Sequence, residues 1–324
     1  MTTQSPHNLT RGYTAGLGAA ALLSTTAVFI RYLTETFQMP SLVLAFWRDV
    51  FVVLTLLPIL AVARPGLLRV TRSEARYLAT YGVMLAAFNA MWTLSVAFNG
   101  AAVATVLAYC SSAFTALLGW WLLREQLDWG KIVAIALSLS GCVLVADALD
   151  PAAWRANPVG ILTGVLSGLT YAGYSLMGRS ASQRGLSPWT SLLYTFGFAA
   201  VVLLVVNLLP GQVMPGVAVE AGDMVWLGDA WIGWGALILL AAGPTVAGFG
   251  LYNVSLSHLP SSVANLIVTL EPAFTTVIAY VFLGERLTLT QAAGGVVIVS
   301  GVVFLRIHQR HRPRRARSLD VAAV

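Results

Sequence analysis

Residues 102–127, AVATVLAYCSSAFTALLGWWLLREQL, return without a gap as residues 262–287, SVANLIVTLEPAFTTVIAYVFLGERL, at an offset of 160. Eight of the 26 positions are identical, among them Ala113/Ala273, Phe114/Phe274, Thr115/Thr275 and Glu125/Glu285. Chance in so apolar a composition would give roughly two or three. Ser140-Gly141 and Ser300-Gly301 continue the match at the same offset. A hydrophobic chain of 324 residues that repeats itself once reads as two halves with a solute site between them.

Hydrophobic residues make up 58% of the chain and charged residues 10%, against about a quarter charged in soluble domains. The apolar residues fall in continuous blocks rather than in alternation, which predicts an all-α integral membrane protein and excludes a β-barrel. Ten blocks are long enough to span, near 12–31, 40–63, 76–98, 101–123, 130–147, 158–178, 188–209, 231–256, 261–283 and 288–307. About 20 helical residues cross a hydrocarbon core of roughly 30 Å. The first block is too long, and at Ser24-Thr25-Thr26 too polar, for a cleaved signal segment. Cys110 and Cys142 both lie inside expected helices and make no disulfide framework.

The net charge of +6 is unevenly placed. With the N-terminus inside, 15 of the 19 Lys and Arg residues fall on the inner face, six of them in the stretch Arg306–Arg317. Arg31, Arg155 and Arg286 fall outside, and Arg48 falls within a span. The positive-inside rule then puts both termini in the cytoplasm of a multi-pass inner (plasma) membrane protein. The basic tail reads as a topology anchor that meets anionic lipid, not as a nucleic-acid site.

Five spans per repeat is an odd number, so the expected fold is two inverted five-helix repeats. Repeat 1 covers 11–147 and repeat 2 covers 158–307, between an N-terminal tail (1–10), a linker (148–157) and the basic tail (308–324). The first helices of the halves correspond at an offset of 148: Gly12, Gly16, Ala20 and Ser24 match Gly160, Gly164, Gly168 and Ala172. Small residues at this four-residue spacing let another helix approach closely. The loop 210–230, with Glu220, Asp223 and Asp229, is expected to face outward.

The segments LVLAFWRDV (42–50), AFTALLGWWLLREQL (113–127) and LEPAFTTVIAYVFLGERLT (270–288) resemble the EamA-like branch of the drug/metabolite transporter superfamily. The resemblance covers about residues 11–307. It implies an exporter or permease of small organic solutes such as amino acids. Repeat 1 departs from repeat 2 at one place: Ser111-Ser112 stands where repeat 2 has Glu271-Pro272. The acidic, kinked site is therefore expected in one half only.

Charges at the centre of a bilayer cost at least about 2.5–3.5 kcal/mol each, which singles out Arg48, Asp49 and Glu271. Arg48 lies roughly 12 Å below the outer boundary and Glu271 roughly 15 Å from the inner one, at 1.5 Å per residue. An Arg48–Glu271 ion pair is geometrically open. Arg48 is either a structural arginine or a planar fork for a substrate carboxylate or phosphate. Glu271 either pairs with a cationic group or carries a coupling proton. Asp49 points about 100° away from Arg48 around the helix and reads as a structural partner.

Pro272 removes a backbone bond beside Glu271. Gly243, Pro244 and Gly248 make the eighth block the leading hinge. Asn89, Trp92, Tyr109, Tyr171, Tyr174, Tyr252, Asn253 and Asn265 complete the candidate substrate site; each is equally able to make helix–helix bonds.

No Walker loop, dinucleotide fingerprint or metal-ligand spacing is present in the sequence, so no cofactor and no metal is expected. A reactive constellation for an intramembrane enzyme is also missing. The expected activity is secondary transport of a small molecule by alternating access at a midplane cavity, by a monomer or homodimer. The alternative is a non-transporting membrane sensor or assembly partner.

Overall fold

The computed structural model describes residues 6–145, 158–209, 214–283 and 288–311. The linker 148–157, residues 1–5 of the N-terminal tail and residues 312–324 of the basic tail lie outside the described residues. Regular structure among the described residues is entirely helical: α1 (Pro6–Leu23), α2 (Thr26–Thr36), α3 (Ser41–Ala63), α4 (Arg72–Tyr109), α5 (Ser111–Leu122), α6 (Trp129–Val145) and α7 (Pro158–Gln183), then α8 (Pro188–Leu208), α9 (Trp231–Leu240), α10 (Gly250–His258), α11 (Ser261–Val268), α12 (Glu271–Leu283) and α13 (Leu289–His311). A π-helical segment, Ala241–Phe249, joins α9 to α10.

Among the described residues, six stretches are long and apolar enough to cross a membrane: Leu9–Thr36, Ser41–Ala63, Arg72–Phe98, Pro158–Gln183, Pro188–Leu208 and Trp231–His258. Leu107–Leu122, Trp129–Leu144 and Ala292–Leu305 are shorter apolar helices. The expected ninth block, 261–283, is divided between α11 and α12.

No break in α4 separates the expected third and fourth blocks at residues 99–100, but the chain reverses direction between Ser95 and Leu107. A Cβ placed on Gly164 would sit 2.6 Å from Leu107 and 2.8 Å from Ser95, two residues that a straight helix holds about 18 Å apart. Before the turn, Tyr77 donates to the Met177 carbonyl at 2.6 Å and Phe88 stacks on Tyr171, so α4 runs antiparallel to α7. After it, Ala108 meets Gly168 and the direction is reversed.

The glycine contacts repeat across the molecule. Gly164 abuts Ser95 and Leu107, while Gly16 abuts Ser255 and Ile267, at 3.1 and 3.0 Å from a Cβ placed there. Offsets of 160 and 148 carry one set onto the other. α6 and α13 do the same to each other. Gly141 lies against Ile298 and the Gly294 carbonyl, and Gly301 against Ser138 and the Ala134 carbonyl. The 160 offset exchanges these sets, and partner numbers fall as residue numbers rise, so the two helices are antiparallel. Contacts that map onto each other under exchange are the product of a two-fold relation.

The loop 214–230 closes over the start of α3. The Leu42 N–H donates to the Gly216 carbonyl at 2.8 Å, and Asn207 bonds both the Leu42 carbonyl and the Ala218 N–H, at 3.1 and 3.2 Å. The indoles of Trp47 and Trp226 donate to the Met224 and Phe37 carbonyls. Asp223 accepts from the Val219 and Glu220 N–H groups and so shapes the loop itself.

Because Gly16 and Gly164 make equivalent contacts, Gly16→Val and Gly164→Val should each lower stability by about 1–3 kcal/mol through overpacking. Gly222→Ala, with nothing within 4 Å of its Cβ position, should stay within about 0.5 kcal/mol. Thermal unfolding of purified protein in detergent compares the three.

Candidate functional site

Among the described residues, four helix interruptions lie close together. The first lies between α1 and α2, where the Ser24 and Thr25 hydroxyls donate to the Ala21 and Leu22 carbonyls at 2.6 and 2.8 Å. The second is at Cys110, between α4 and α5, with the Cys110 N–H bonded to Leu107 and the Ser112 hydroxyl to the Tyr109 carbonyl. The π segment is the third. It holds Gly243, Pro244 and Gly248, and the Thr245 hydroxyl donates to the Leu240 carbonyl at 2.8 Å. The fourth is at Thr269–Leu270, tightened by bonds from their N–H groups to Leu266 and Ile267.

These breaks touch one another. Leu23 packs on Gly248, and the Thr275 hydroxyl of α12 lies 3.0 Å from the Ser24 carbonyl.

The second and fourth breaks fall at positions related by the 160-residue offset. The expectation that only one half is kinked is therefore corrected. Pro272, second in α12, sits where a helix needs no N–H from it, yet Ser112 stands in the same place at an equivalent break. Local hydroxyl competition for the backbone is enough to interrupt a helix without proline. What only repeat 2 supplies is the carboxylate, at the first position of α12. A helix N-terminus favours negative charge there.

Glu271 accepts a hydrogen bond from the Tyr109 hydroxyl at 2.6 Å. Arg48 does not reach it. Its Nε lies 3.7 Å from Asp49 Oδ1 instead, and Asn89 Nδ2 donates to both Asp49 oxygens at 2.9 Å. The adjacent Arg48 and Asp49 were expected to face apart. The arginine stem is long enough to carry the guanidinium around the helix to its neighbour, so the 100° between Cα–Cβ directions does not separate the charges. Arg48 Nε and Asn89 Oδ1 are left without a hydrogen bond.

Between these charged groups lies a tyrosine cluster. Tyr171, Tyr174 and Tyr252 are mutually stacked at centroid distances of 5.6–6.4 Å, and Phe249 of the π segment meets Tyr174 edge-on at 5.7 Å. Asn253 donates to Tyr174 at 3.2 Å. The Ser175 hydroxyl and Tyr252 share a 2.6 Å bond, Asn265 donates to Ser175 at 3.3 Å, and Ser111 donates to Asn265 at 3.3 Å. Tyr109 and Tyr171 lie within electrostatic range of Glu271, and Tyr174 within range of Asp49.

The structure thus joins Tyr109, Tyr171, Tyr174, Tyr252, Asn253, Asn265 and Glu271, and sets Arg48 and Asn89 beside them. Trp92 is buried on α4 one turn beyond Asn89. Ser111, Ser175 and Thr275 are members that sequence reasoning missed. Their only signal was a hydroxyl one, two or four residues from a residue already singled out.

The arrangement is closed in this conformation. Tyr174 and Tyr252 are 0% exposed and Asn265 1%, while Glu271 keeps part of its surface open. A hollow of about 650 Å³ lies elsewhere, beside Trp120–Asp128 at the end of α5.

Asn89→Leu leaves the buried Asp49 carboxylate two donors short. It should cost about 1–3 kcal/mol, read as a lower melting temperature, whereas Trp92→Phe should change stability by under about 1.5 kcal/mol.

The model of the EamA-like transporter family matches residues 10–146 and 158–307. An uncharacterized transporter of Archaeoglobus fulgidus is 28% identical over 224 residues, 68% of this chain and 74% of the relative. The threonine/homoserine exporter RhtA of Salmonella typhimurium is 24% identical over 267 residues, 81% of each. A solved crystal structure of a protein aligns over 93% of this chain and 98% of its own, with a TM-score of 0.72 at 16% identity, so the two share a fold.

Proposed function

The chain belongs to the EamA-like transporter family, a multi-pass membrane protein, and on that premise we propose that it is a secondary transporter. It moves a small organic metabolite such as an amino acid, as exporter or permease, by alternating access between two inverted five-helix repeats. The repeats are 11–147 and 158–307, with ten spans and both termini in the cytoplasm of the inner membrane. The matched stretches, the turn within α4 and the exchanged contacts of α6 with α13 support the repeats. The crowding of Arg and Lys on one face supports the orientation, and the basic tail meets anionic lipid there. The protein acts as a monomer or homodimer.

The observation that carries this reading is the meeting of four helix interruptions around Tyr109 and Glu271, between the halves. Irregular backbone at mid-depth persists only where it is buried in protein or lines a polar path. The tyrosines and asparagines offer hydrogen bonds and aromatic faces to a solute. Arg48 offers a fork to a carboxylate while Asp49 and Asn89 orient it. Glu271 carries the coupling proton: ionised, it takes the Tyr109 hydrogen bond; protonated, it no longer needs that donor. Gly243, Pro244, Gly248 and Pro272 are the hinges, since their backbone bonds are already rearranged or missing.

Purified protein in proteoliposomes, offered threonine, homoserine and a panel of amines, nucleosides and organic acids, should show selective counterflow stimulated by a pH gradient. No flux of any of these from folded protein speaks against the reading. Glu271→Gln should abolish gradient-driven accumulation and spare exchange; unchanged accumulation removes Glu271 from coupling. Arg48→Lys should weaken carboxylated substrates about tenfold and leave uncarboxylated ones alone. Equal loss for both makes Arg48 structural.

A further inference from the structure

One carboxylate fastens the first turn of α11 to the end of α5. Glu125 Oε1 accepts from the Ser261 N–H at 2.7 Å and from its hydroxyl at 2.6 Å. Oε2 accepts from the Ser262 N–H at 3.3 Å and from its hydroxyl at 2.7 Å. Two of these donors are N–H groups that a helix start leaves unpaired, and a carboxylate is the group a helix N-terminus favours. All three residues are buried, at 5%, 0% and 5% exposure. Arg179, also buried, donates to the Leu256 carbonyl at 3.0 Å and lies within range of the Glu125 charge.

The backbone that delivers Glu125 is specialised. Arg124 has φ 55°, in the left-handed region that residues other than glycine rarely adopt. The Leu123 and Glu125 N–H groups both return to the Gly119 carbonyl at 3.0 Å. The chain thereby doubles back over the last turn of α5 and aims the carboxylate across at α11. Gly119 leaves the room for it: a Cβ there would lie 3.1 Å from Glu125 Oε2.

α5 and α11 belong to different halves, so this contact bridges the seam along which the halves would part. It lies on the basic face, with Arg124, Lys131 and Arg179. The 160-residue offset sets Ala101 and Ala102 against Ser261 and Ser262. In sequence, then, the counterpart of the two serines carries no hydroxyl.

We propose that Glu125 is a gate latch: its four hydrogen bonds to Ser261 and Ser262 hold the basic face shut and bias the protein toward opening on the other face. The proposal rests on the alternating-access reading. Opening on the basic face breaks the clamp, and with only alanines at the corresponding positions the other face has fewer donors with which to match it.

The test places one reporter thiol in the closed network, Ser175→Cys, with Cys110 and Cys142 replaced by alanine. A membrane-impermeant maleimide is applied to right-side-out and inside-out vesicles. Glu125→Gln should speed labelling from the basic face about tenfold and slow it from the other, because loss of charge-assisted bonds shifts a two-state population. The double variant Ser261→Ala, Ser262→Ala keeps the N–H donors and should shift both rates in the same directions by less.

Unchanged rates in both variants, with the parent labelled from either face, overturn the latch and leave alternating access standing. Rates rising from both faces together indicate a loosened fold and also overturn the latch. Labelling from one face only, in the parent and every variant, overturns alternating access and the latch with it.

Discussion

A backbone N–H or C=O left unpaired in hydrocarbon costs several kcal/mol, and the structure depends on how this chain interrupts its helices in spite of that. Each interruption carries its own remedy. Ser24 and Thr25 bond back to Ala21 and Leu22, Ser112 to Tyr109, Thr245 to Leu240 and Thr269 to Leu266. Thr275 adds a remedy from a different helix, at the Ser24 carbonyl. The hydroxyls take up carbonyls that the four irregular segments would otherwise leave unpaired.

Close helix approach brings these segments together. Gly16 and Gly164 let α1 and α7 settle against Ile267 and Leu107, each a few residues from a break. The polar side chains released at the breaks then meet in a network that crosses the seam, from Ser111 through Asn265 and Ser175 to Tyr252. A buried network of this kind is stable only when its members are satisfied together.

Much of this was legible in the primary structure. The 160-residue repeat and the four-residue spacing of small side chains announce the symmetric contacts, because close packing needs small residues wherever it occurs. Glu271 stood out because charge is rare in so apolar a chain. The break at Cys110 did not stand out: no proline marks it, and Ser-Ser in a membrane helix usually stays helical by bonding back within the turn. Ser24-Thr25-Thr26 was visible as a polar run but not as a break, since the same residues serve in either state. Glu125 was visible as one of eight repeat identities, with nothing to say what it would hold.

By itself, then, the sequence determined the solvent this protein lives in, its division into related halves and the few polar groups that must be buried. Those follow from composition and periodicity, which are local and additive. Tertiary structure alone decided the partners: Arg48 with Asp49 rather than Glu271, Glu271 with Tyr109, and Glu125 with Ser261 and Ser262. Such pairings join residues up to 162 positions apart or depend on how a flexible stem bends. The contacts that fix them exist only once the helices have packed.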